Sequence, residues 1–233
     1  MARDLKLSAD SGVPLADDSV YRTMVGCLLY LTNTRPDLSF AVQQLSQFVQ
    51  HSTDLHLKAA HRVLRYLKSA LGCGLFFPVA SAMKLNAFSD SDWAGCVHTR
   101  RSITGFCGFL DQALVTWRSK KQHTISTSSS EAEYRALATT TCELQWLSYL
   151  LRDFGISTDS PASLCCDNQS ARHIAANPTF HERTKHLDID CHIVREKLQN
   201  GLIHLLPIES QDQLADIFTK PLAPTSFCTL FPG

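Results

Sequence analysis

The sequence lacks an excess of charge of either sign. Its 22 lysines and arginines balance 22 aspartates and glutamates over 233 residues, so the formal net charge is zero. Nucleic-acid-binding proteins often carry a basic balance, so any binding of nucleic acid must come from a local group of cations. Hydrophobic residues make up 44% of the chain and charged residues 19%, a composition typical of a folded globular protein.

The sequence also lacks Cys-x-x-Cys pairs and long apolar runs. The nine cysteines include no Cys-x-x-Cys pair, which favours reduced thiols over a disulfide framework or a zinc site. The first residues contain no signal-peptide core, and the apolar run Met24–Leu31 is too short to span a bilayer. We therefore expect a soluble, intracellular protein with no membrane partner and no small-molecule ligand; the pattern does not separate cytoplasm from nucleus.

The first third of the chain has helical periodicity. Pro36 suits a first helical turn, and apolar residues recur at helical spacing over 38–49 and again over 57–67. Gly72 and Gly74 follow, after which the composition shifts towards strands. We therefore predict a helical segment over residues 1–78.

The remainder alternates between strands and helices. The predicted strands are short apolar runs between turn residues, and they cover 83–90, 103–110, 113–119, 162–168 and 202–207. Predicted helices follow the third, fourth and fifth strands, with two between the fourth and fifth and a last one over 211–219. Short connections make the first three strands an antiparallel meander, and the whole order predicts an α/β domain with a mixed sheet flanked by helices.

Carboxylates lie at the ends of two of these strands. Asp90 and Asp167 each end an apolar strand, Glu133 lies in the first turns of a helix, and Asp216 lies on the last predicted helix. Acidic loops are common, but a carboxylate beside a core is costly unless it is paired or binds a metal. Two divalent ions are the usual means of bringing such acids together for phosphodiester cleavage, and oxygen ligands favour Mg²⁺ or Mn²⁺.

Several stretches give the chain a family resemblance. They lie at 88–95 (Phe-Ser-Asp-Ser-Asp-Trp-Ala-Gly), 100–106, 117–122, 128–134, 166–171, 181–188 and 215–222, with 21–32 and 34–37 upstream. In this order they resemble the ribonuclease H region of a copia-like retrotransposon polyprotein, preceded by the end of its reverse transcriptase. The resemblance covers nearly the whole chain.

The resemblance implies a ribonuclease H-like fold with a mixed five-stranded sheet, preceded by a helical connection segment. It implies a reverse-transcriptase remnant over 1–78, a ribonuclease H domain over 79–222 and an unstructured tail over 223–233. The catalytic residues and ligands of two Mg²⁺ or Mn²⁺ ions would be Asp90, Glu133, Asp167 and Asp216. Glu131 is the alternative to Glu133.

The implied activity is metal-dependent hydrolysis of the RNA strand of an RNA–DNA hybrid, with the polymerase part of a reverse transcriptase as a further partner. The substrate-binding residues would be Ser91, Asp92, Trp93, Lys121, Ser129, Ser130, Asn168 and Gln169. Asp92 would support the metal site from nearby. The loop 118–123 offers positive charge for the DNA backbone, although such loops are often simply solvated.

Two other functions stay open at this point. The chain could be a catalytically weak or inactive nucleic-acid-binding fragment of a transposon polyprotein. It could also be another nuclease or an integrase-type member of the same fold superfamily, against which the order Asp, Glu, Asp, Asp speaks.

Overall fold

The structure is a computed structural model, and it describes residues 7–8, 11–79, 83–156, 158, 160–177 and 187–230. Most of the stretch 181–188, including its two histidines, lies outside the described residues. The chain divides into two compact units, one formed by Met1–Leu75 with Lys220–Gly233 and the other by Phe76–Thr219. Among the residues that the structure describes, no helix combines the length and apolar character needed to cross a membrane.

The first unit is built from helices. Its elements are α1 (Ser19–Leu31), a 3-10 helix (Pro36–Leu38), α2 (Ser39–Ser46), α3 (Asp54–Ser69) and α7 (Pro224–Leu230). On α1 the fully buried side chains are Tyr21, Val25 and Leu28, which share one helix face. The Tyr21 hydroxyl donates to the carbonyl of Leu45 at 2.8 Å and so joins α1 to α2.

A buried ion pair joins the start of α2 to the end of α3. The Arg35 guanidinium donates to both carboxylate oxygens of Asp37, at 2.9 and 2.7 Å, and to the carbonyl of Ala70 at 2.9 Å. The Tyr66 hydroxyl donates to Asp37 at 2.8 Å. This bidentate pair lies within the stretch 34–37 that the sequence marked as a family feature, and its contacts give that stretch a structural role.

The second unit is organised around a mixed five-stranded sheet. Its strands are β1 (Leu85–Asp92), β2 (Ile103–Leu110), β3 (Ala113–Lys121), β4 (Ala162–Cys166) and β5 (Ile203–Pro207). They lie in the order β3-β2-β1-β4-β5. β1 to β3 form the predicted antiparallel meander, while β4 runs parallel to β1 and β5 parallel to β4. The predicted α/β fold with a mixed sheet is confirmed.

Helices cover the sheet around one main core. They are α4 (Ser129–Asp153), α5 (Gln169–Ala176) and α6 (Asp188–Gln199). Leu85 and Ala87 alternate along β1 and pack in the same buried cluster as Leu137 of α4, Leu164 of β4 and Val194 of α6. This core fixes α4 against β1, and therefore fixes the helix that carries Glu133 relative to the strand that carries Asp90.

Two predictions for the end of the chain were wrong. The helix predicted over 211–219 is replaced by two short 3-10 helices, Ser210–Asp212 and Leu214–Phe218. In the second, the Gln213 side chain caps the backbone by accepting from Ala215 N at 3.2 Å. The tail over 223–233 was predicted to be unstructured, yet it contains α7, which begins at Pro224. Proline suits this first position, and the Phe227 ring packs edge-on against Tyr66 at 6.0 Å.

Replacing Asp37 by alanine should destabilise the first unit strongly. The Arg35 charge would be left buried without its counter-ion, which typically costs about 3–5 kcal/mol. Urea unfolding measures the change. The control is Asp18→Ala, which breaks the exposed pair with Arg22 and should cost much less. Equal losses in the two variants would contradict a dominant role for the buried pair.

Gly105 of β2 should not tolerate even a methyl group. A Cβ there would lie 2.5 Å from Thr219 Cγ2 and 2.8 Å from Phe218 Cβ. Gly105→Ala should therefore displace this segment and cost about 1–3 kcal/mol by overpacking. Gly26 of α1 has open space around it, so Gly26→Ala should stabilise by about 0.5–1 kcal/mol. Thermal unfolding of both variants checks the contrast, and a neutral Gly105→Ala would refute the close approach.

Candidate functional site

Asp90 lies near the end of the central strand and is 2% exposed. Its partner in the β1–β2 register is Gly105, and the segment ending at Thr219 packs over that glycine. The Thr219 hydroxyl donates a short hydrogen bond to Asp90 Oδ2. The absence of a side chain at Gly105 thus makes room for a direct contact between the end of the second unit and the Asp90 carboxylate.

The segment that carries Asp216 is tied to β1 by a glutamine. Gln213 is fully buried, and its Nε2 donates to the carbonyl of Ser89 at 3.0 Å. Its Oε1 accepts from Ala215 N at 3.2 Å. The Gln213 side chain therefore holds the start of the Leu214–Phe218 helix beside the strand that carries Asp90.

Glu133 reaches the same end of β1 from α4. Its Oε1 accepts from the backbone N–H of Ser91 at 3.3 Å, and the residue is 6% exposed. Ser91 follows Asp90 directly, so this contact places the Glu133 carboxylate at the backbone of the Asp90 strand end.

Asp167 follows β4 directly. One carboxylate oxygen accepts from the Ser210 hydroxyl at 2.8 Å. A carboxylate oxygen of Asp167, one of Glu133 and the sulfur of Cys166 all lie within 4.8 Å of one another. Burial raises the pKa of the Cys166 thiol, and the negative charge of Glu133 raises it further, which keeps the thiol protonated.

Sheet topology accounts for the meeting of these strand ends. β1 and β4 are parallel neighbours, and Phe88 pairs with Cys165. Asp90 and Asp167 each lie two residues beyond that pair, at the carboxyl ends of their strands. The structure thus brings Glu133 and Asp167 together and puts Asp90 on the adjacent strand, with Thr219 contacting both Asp90 and, at 3.3 Å, the carbonyl of Asp216.

Glu131 makes a different set of contacts from Glu133. Its Oε2 accepts from the backbone and hydroxyl of Thr127, at 2.8 and 2.7 Å, while its Oε1 pairs with Arg135 at 2.9 Å. Ser128 caps α4 by accepting from Glu131 N at 3.2 Å. Glu131 thus secures the start of α4, as acidic residues in a first helical turn commonly do.

The predicted substrate-binding residues of β1 and its following loop come directly after Asp90 in the chain. The side chain of Ser91 is nearly buried, whereas Trp93 is 48% exposed and its indole N–H donates to the carbonyl of Ser126 at 3.1 Å. The Asp92 carboxylate lies against Gly95, in the space that a Cβ at this position would need. Trp93 therefore offers an open aromatic surface next to the carboxylates, while Asp92 is folded back onto its own loop.

The other predicted substrate-binding residues lie at two helix starts. Ser129 and Ser130 are the first residues of α4. Asn168 caps α5 by accepting from Ala171 N at 2.9 Å, and the exposed Gln169 contacts His173 at 3.4 Å between their side-chain nitrogens. Asn168 thus has a clear structural use, whereas Ser129 and Gln169 present exposed polar groups.

Cations gather at the end of β3, as the sequence predicted for the loop 118–123. They line a pocket of about 260 Å³ together with polar side chains that include His123. The cations are Arg118, Lys120, Lys121 and Arg135, and the one carboxylate is that of Asp190. Burial raises the pKa of the Asp190 carboxyl, against the opposing effect of Arg135. The positive charge needed for a phosphate backbone is therefore local, in a chain with no net charge.

Residues that sequence reasoning missed hold the site together. Gln122 Nε2 donates to Thr104 Oγ1 and to the carbonyl of Ala132, both at 3.0 Å, and its Oε1 accepts from Ser126 at 3.1 Å. It thereby joins β2, α4 and the loop between β3 and α4. Gln213, Thr219 and Ser210 were missed as well. Gln122 and Thr219 lie inside the matched stretches, but glutamine and threonine carry no charge pattern that singles them out.

Comparison with known proteins gives relatives along almost the full chain. No protein-family model matches it. The retrovirus-related Pol polyprotein from transposon RE1 of Arabidopsis thaliana is 44% identical over 227 residues, 97% of this chain and 16% of that protein. The Pol polyprotein from transposon TNT 1-94 of Nicotiana tabacum is 33% identical over 208 residues, 89% of this chain and 16% of that protein.

Among solved structures, LC11-RNase H1 isolated from compost matches 59% of this chain and 93% of its own, with 16% identity and a TM-score of 0.45. The chain spans about one sixth of the length of the transposon relatives given above. The resemblance recognised in the sequence is confirmed: this chain belongs to the family of retrovirus-related Pol polyproteins of copia-type retrotransposons, and it matches a part of their length.

Proposed function

We propose that the chain is a ribonuclease H that hydrolyses the RNA strand of RNA–DNA hybrids with the help of divalent metal ions. The observation that carries the proposal is the approach of Glu133 and Asp167 oxygens to within 4.8 Å, at the end of the strand that bears Asp90. Carboxylates so close together repel one another unless cations lie between them. The neighbouring thiol is kept protonated, so the available donors are hard oxygens, which fit Mg²⁺ or Mn²⁺.

Asp90, Glu133, Asp167 and Asp216 would hold two such ions, which supply an activated water and stabilise charge at the scissile phosphate when bound. The chain's own contribution is to fix these carboxylates from four elements. β1 and β4 set two of them by register, α4 adds Glu133, and the Leu214–Phe218 helix adds Asp216. The free energy of folding of the whole unit offsets the repulsion between these carboxylates. The site would therefore be preorganised before substrate binds.

Substrate placement would use the surfaces beside the carboxylates. Ser91, Ser129, Ser130, Asn168 and Gln169 supply hydroxyl and amide groups that can bond to the sugar edges of a hybrid, where 2′-hydroxyls distinguish RNA from DNA. Trp93 and Asp92 border Asp90, and the exposed indole can stack on a base or sugar.

Lys121 and the other cations at the end of β3 would contact a phosphate backbone. Such contacts are electrostatic and independent of sequence. Because the chain as a whole is neutral, long-range attraction to nucleic acid is weak. This favours a requirement for the polymerase part of a reverse transcriptase as a partner that adds affinity.

Asp167→Asn should abolish cleavage of a labelled RNA–DNA hybrid in Mg²⁺. The variant keeps the size of the side chain but removes charge from the proposed cluster, and a loss of at least about 100-fold is expected, because even outer-sphere partners of metal ligands cost 10–100-fold. Removal of Mg²⁺ by a chelator should silence the parent chain as well.

The matched control is Asp153→Asn, which alters an exposed aspartate at the end of α4 and should leave the rate unchanged. Equal rates for the parent chain and Asp167→Asn would contradict the assigned site. A parent chain that binds the hybrid but does not cleave it would favour the other candidate, a nucleic-acid-binding fragment without catalysis.

Substitutions of Glu133 and Glu131 should differ in their effects on cleavage activity and on stability. Glu133→Gln removes a proposed metal ligand, so the cleavage rate should fall by at least about 100-fold with little change in unfolding temperature. Glu131→Gln weakens the contacts at the start of α4, which should cost about 1 kcal/mol of stability and spare most of the activity. The reverse pattern in paired kinetic and thermal-unfolding measurements would transfer the ligand role to Glu131.

A further inference from the structure

Thr219 touches Asp90 but carries no charge and has no assigned role. It is fully buried, and its hydroxyl donates to Asp90 Oδ2. The carbonyl of Asp216 lies 3.3 Å from the same hydroxyl. A hydroxyl has one proton to donate, and the negatively charged carboxylate is the nearer and stronger acceptor, so the proton of Thr219 belongs to the hydrogen bond with Asp90.

The methyl group of Thr219 determines where that hydroxyl points. Cγ2 lies against Gly105, 2.5 Å from the place that a Cβ would occupy. Threonine is stiff about its first side-chain torsion because two heavy atoms branch from Cβ. With the methyl group seated over Gly105, the hydroxyl is directed towards the neighbouring register partner of Gly105, which is Asp90.

Thr219 also connects two of the proposed ligand positions. Its backbone N–H and its hydroxyl both face the carbonyl of Asp216, at 3.2 and 3.3 Å. Gln213 holds the other end of the same short helix to Ser89, the residue before Asp90. The segment between Gln213 and Thr219 is thus fastened to β1 on both sides of Asp216.

We propose that Thr219 is a positioning residue whose hydroxyl holds the Asp90 carboxylate in the orientation that binds a divalent metal ion. The inference rests on the proposed function, because it concerns the same metal site. A carboxylate that loses a fixed hydrogen-bond donor can turn about its Cβ–Cγ bond, and loss of such a partner typically lowers metal affinity 10–100-fold.

Two substitutions of Thr219 separate the contribution of its hydroxyl from that of its methyl group. Thr219→Val keeps the shape over Gly105 and removes the donor, whereas Thr219→Ser keeps the donor and removes the methyl group. The matched control is Thr140→Val, which removes a buried hydroxyl that donates within α4, to the carbonyl of Ala136 at 2.8 Å. All variants are made in the full chain.

The readout is the dissociation constant for Mn²⁺ by titration calorimetry without nucleic acid, together with the Mg²⁺ concentration that gives half-maximal cleavage. For Thr219→Val we expect both values to rise about 10- to 100-fold. Thr219→Ser should stay within about 3-fold of the parent chain while its unfolding temperature falls, since a buried methyl group is lost. Thr140→Val should leave both metal values unchanged.

An unchanged Mn²⁺ affinity in Thr219→Val, or equal losses in Thr219→Val and Thr219→Ser, would overturn the role of the hydroxyl while leaving the proposed function intact. A parent chain that binds no Mn²⁺ and cleaves no hybrid would contradict the proposed function itself, and this inference would fall with it.

Discussion

The candidate site depends on one close approach, at Gly105. Because β2 has no side chain at this position, the segment from Ala215 to Thr219 lies directly against the β1–β2 pair. A larger residue would hold that segment away from the sheet. Asp216 and Thr219 could then no longer lie close to the end of β1. The contact between the Ala215–Thr219 segment and β1 therefore requires glycine at position 105.

This approach matters because the site groups carboxylates that repel one another when no counter-ion lies between them. Carboxylate oxygens of Glu133 and Asp167 lie within 4.8 Å of each other, and Asp90 is nearly buried on the strand that pairs with β4. Fixed donors surround them: the backbone of Ser91, the hydroxyls of Ser210 and Thr219. Such donors orient carboxylates but do not neutralise them, and the divalent cations of the proposed function would supply that neutralising charge. Glu131 shows the contrast, since Arg135 and Thr127 already satisfy its carboxylate.

The sequence was a good guide wherever a pattern repeats or a charge is out of place. Short apolar runs between turn residues predicted the strands, helical spacing predicted α2 and α3, and the position of acids at strand ends singled out Asp90 and Asp167. The pattern failed at the end of the chain. The apolar residues of 214–218 fit helical spacing, but the Gln213 cap and the contact with Gly105 produce a 3-10 helix there. The helix α7 was missed because its packing partner, Tyr66, is distant in sequence.

The uncharged residues of the site lay beyond sequence reasoning for a related reason. Gln122, Gln213 and Thr219 act through hydrogen bonds between segments that are far apart along the chain, and no local spacing reveals such pairs. The resemblance to transposon Pol polyproteins identified the acids by matching stretches, yet it gave no role to these three residues. Their roles come from the distances in the folded chain, which only the structure provides.

Diffraction from crystals soaked in Mn²⁺ tests the central claim most directly, because anomalous scattering locates the metal without reference to activity. We predict two peaks about 3.5–4 Å apart, each bound by carboxylate oxygens from the set Asp90, Glu133, Asp167 and Asp216. A fully occupied Mn²⁺ position elsewhere with no peak among these four carboxylates would contradict it.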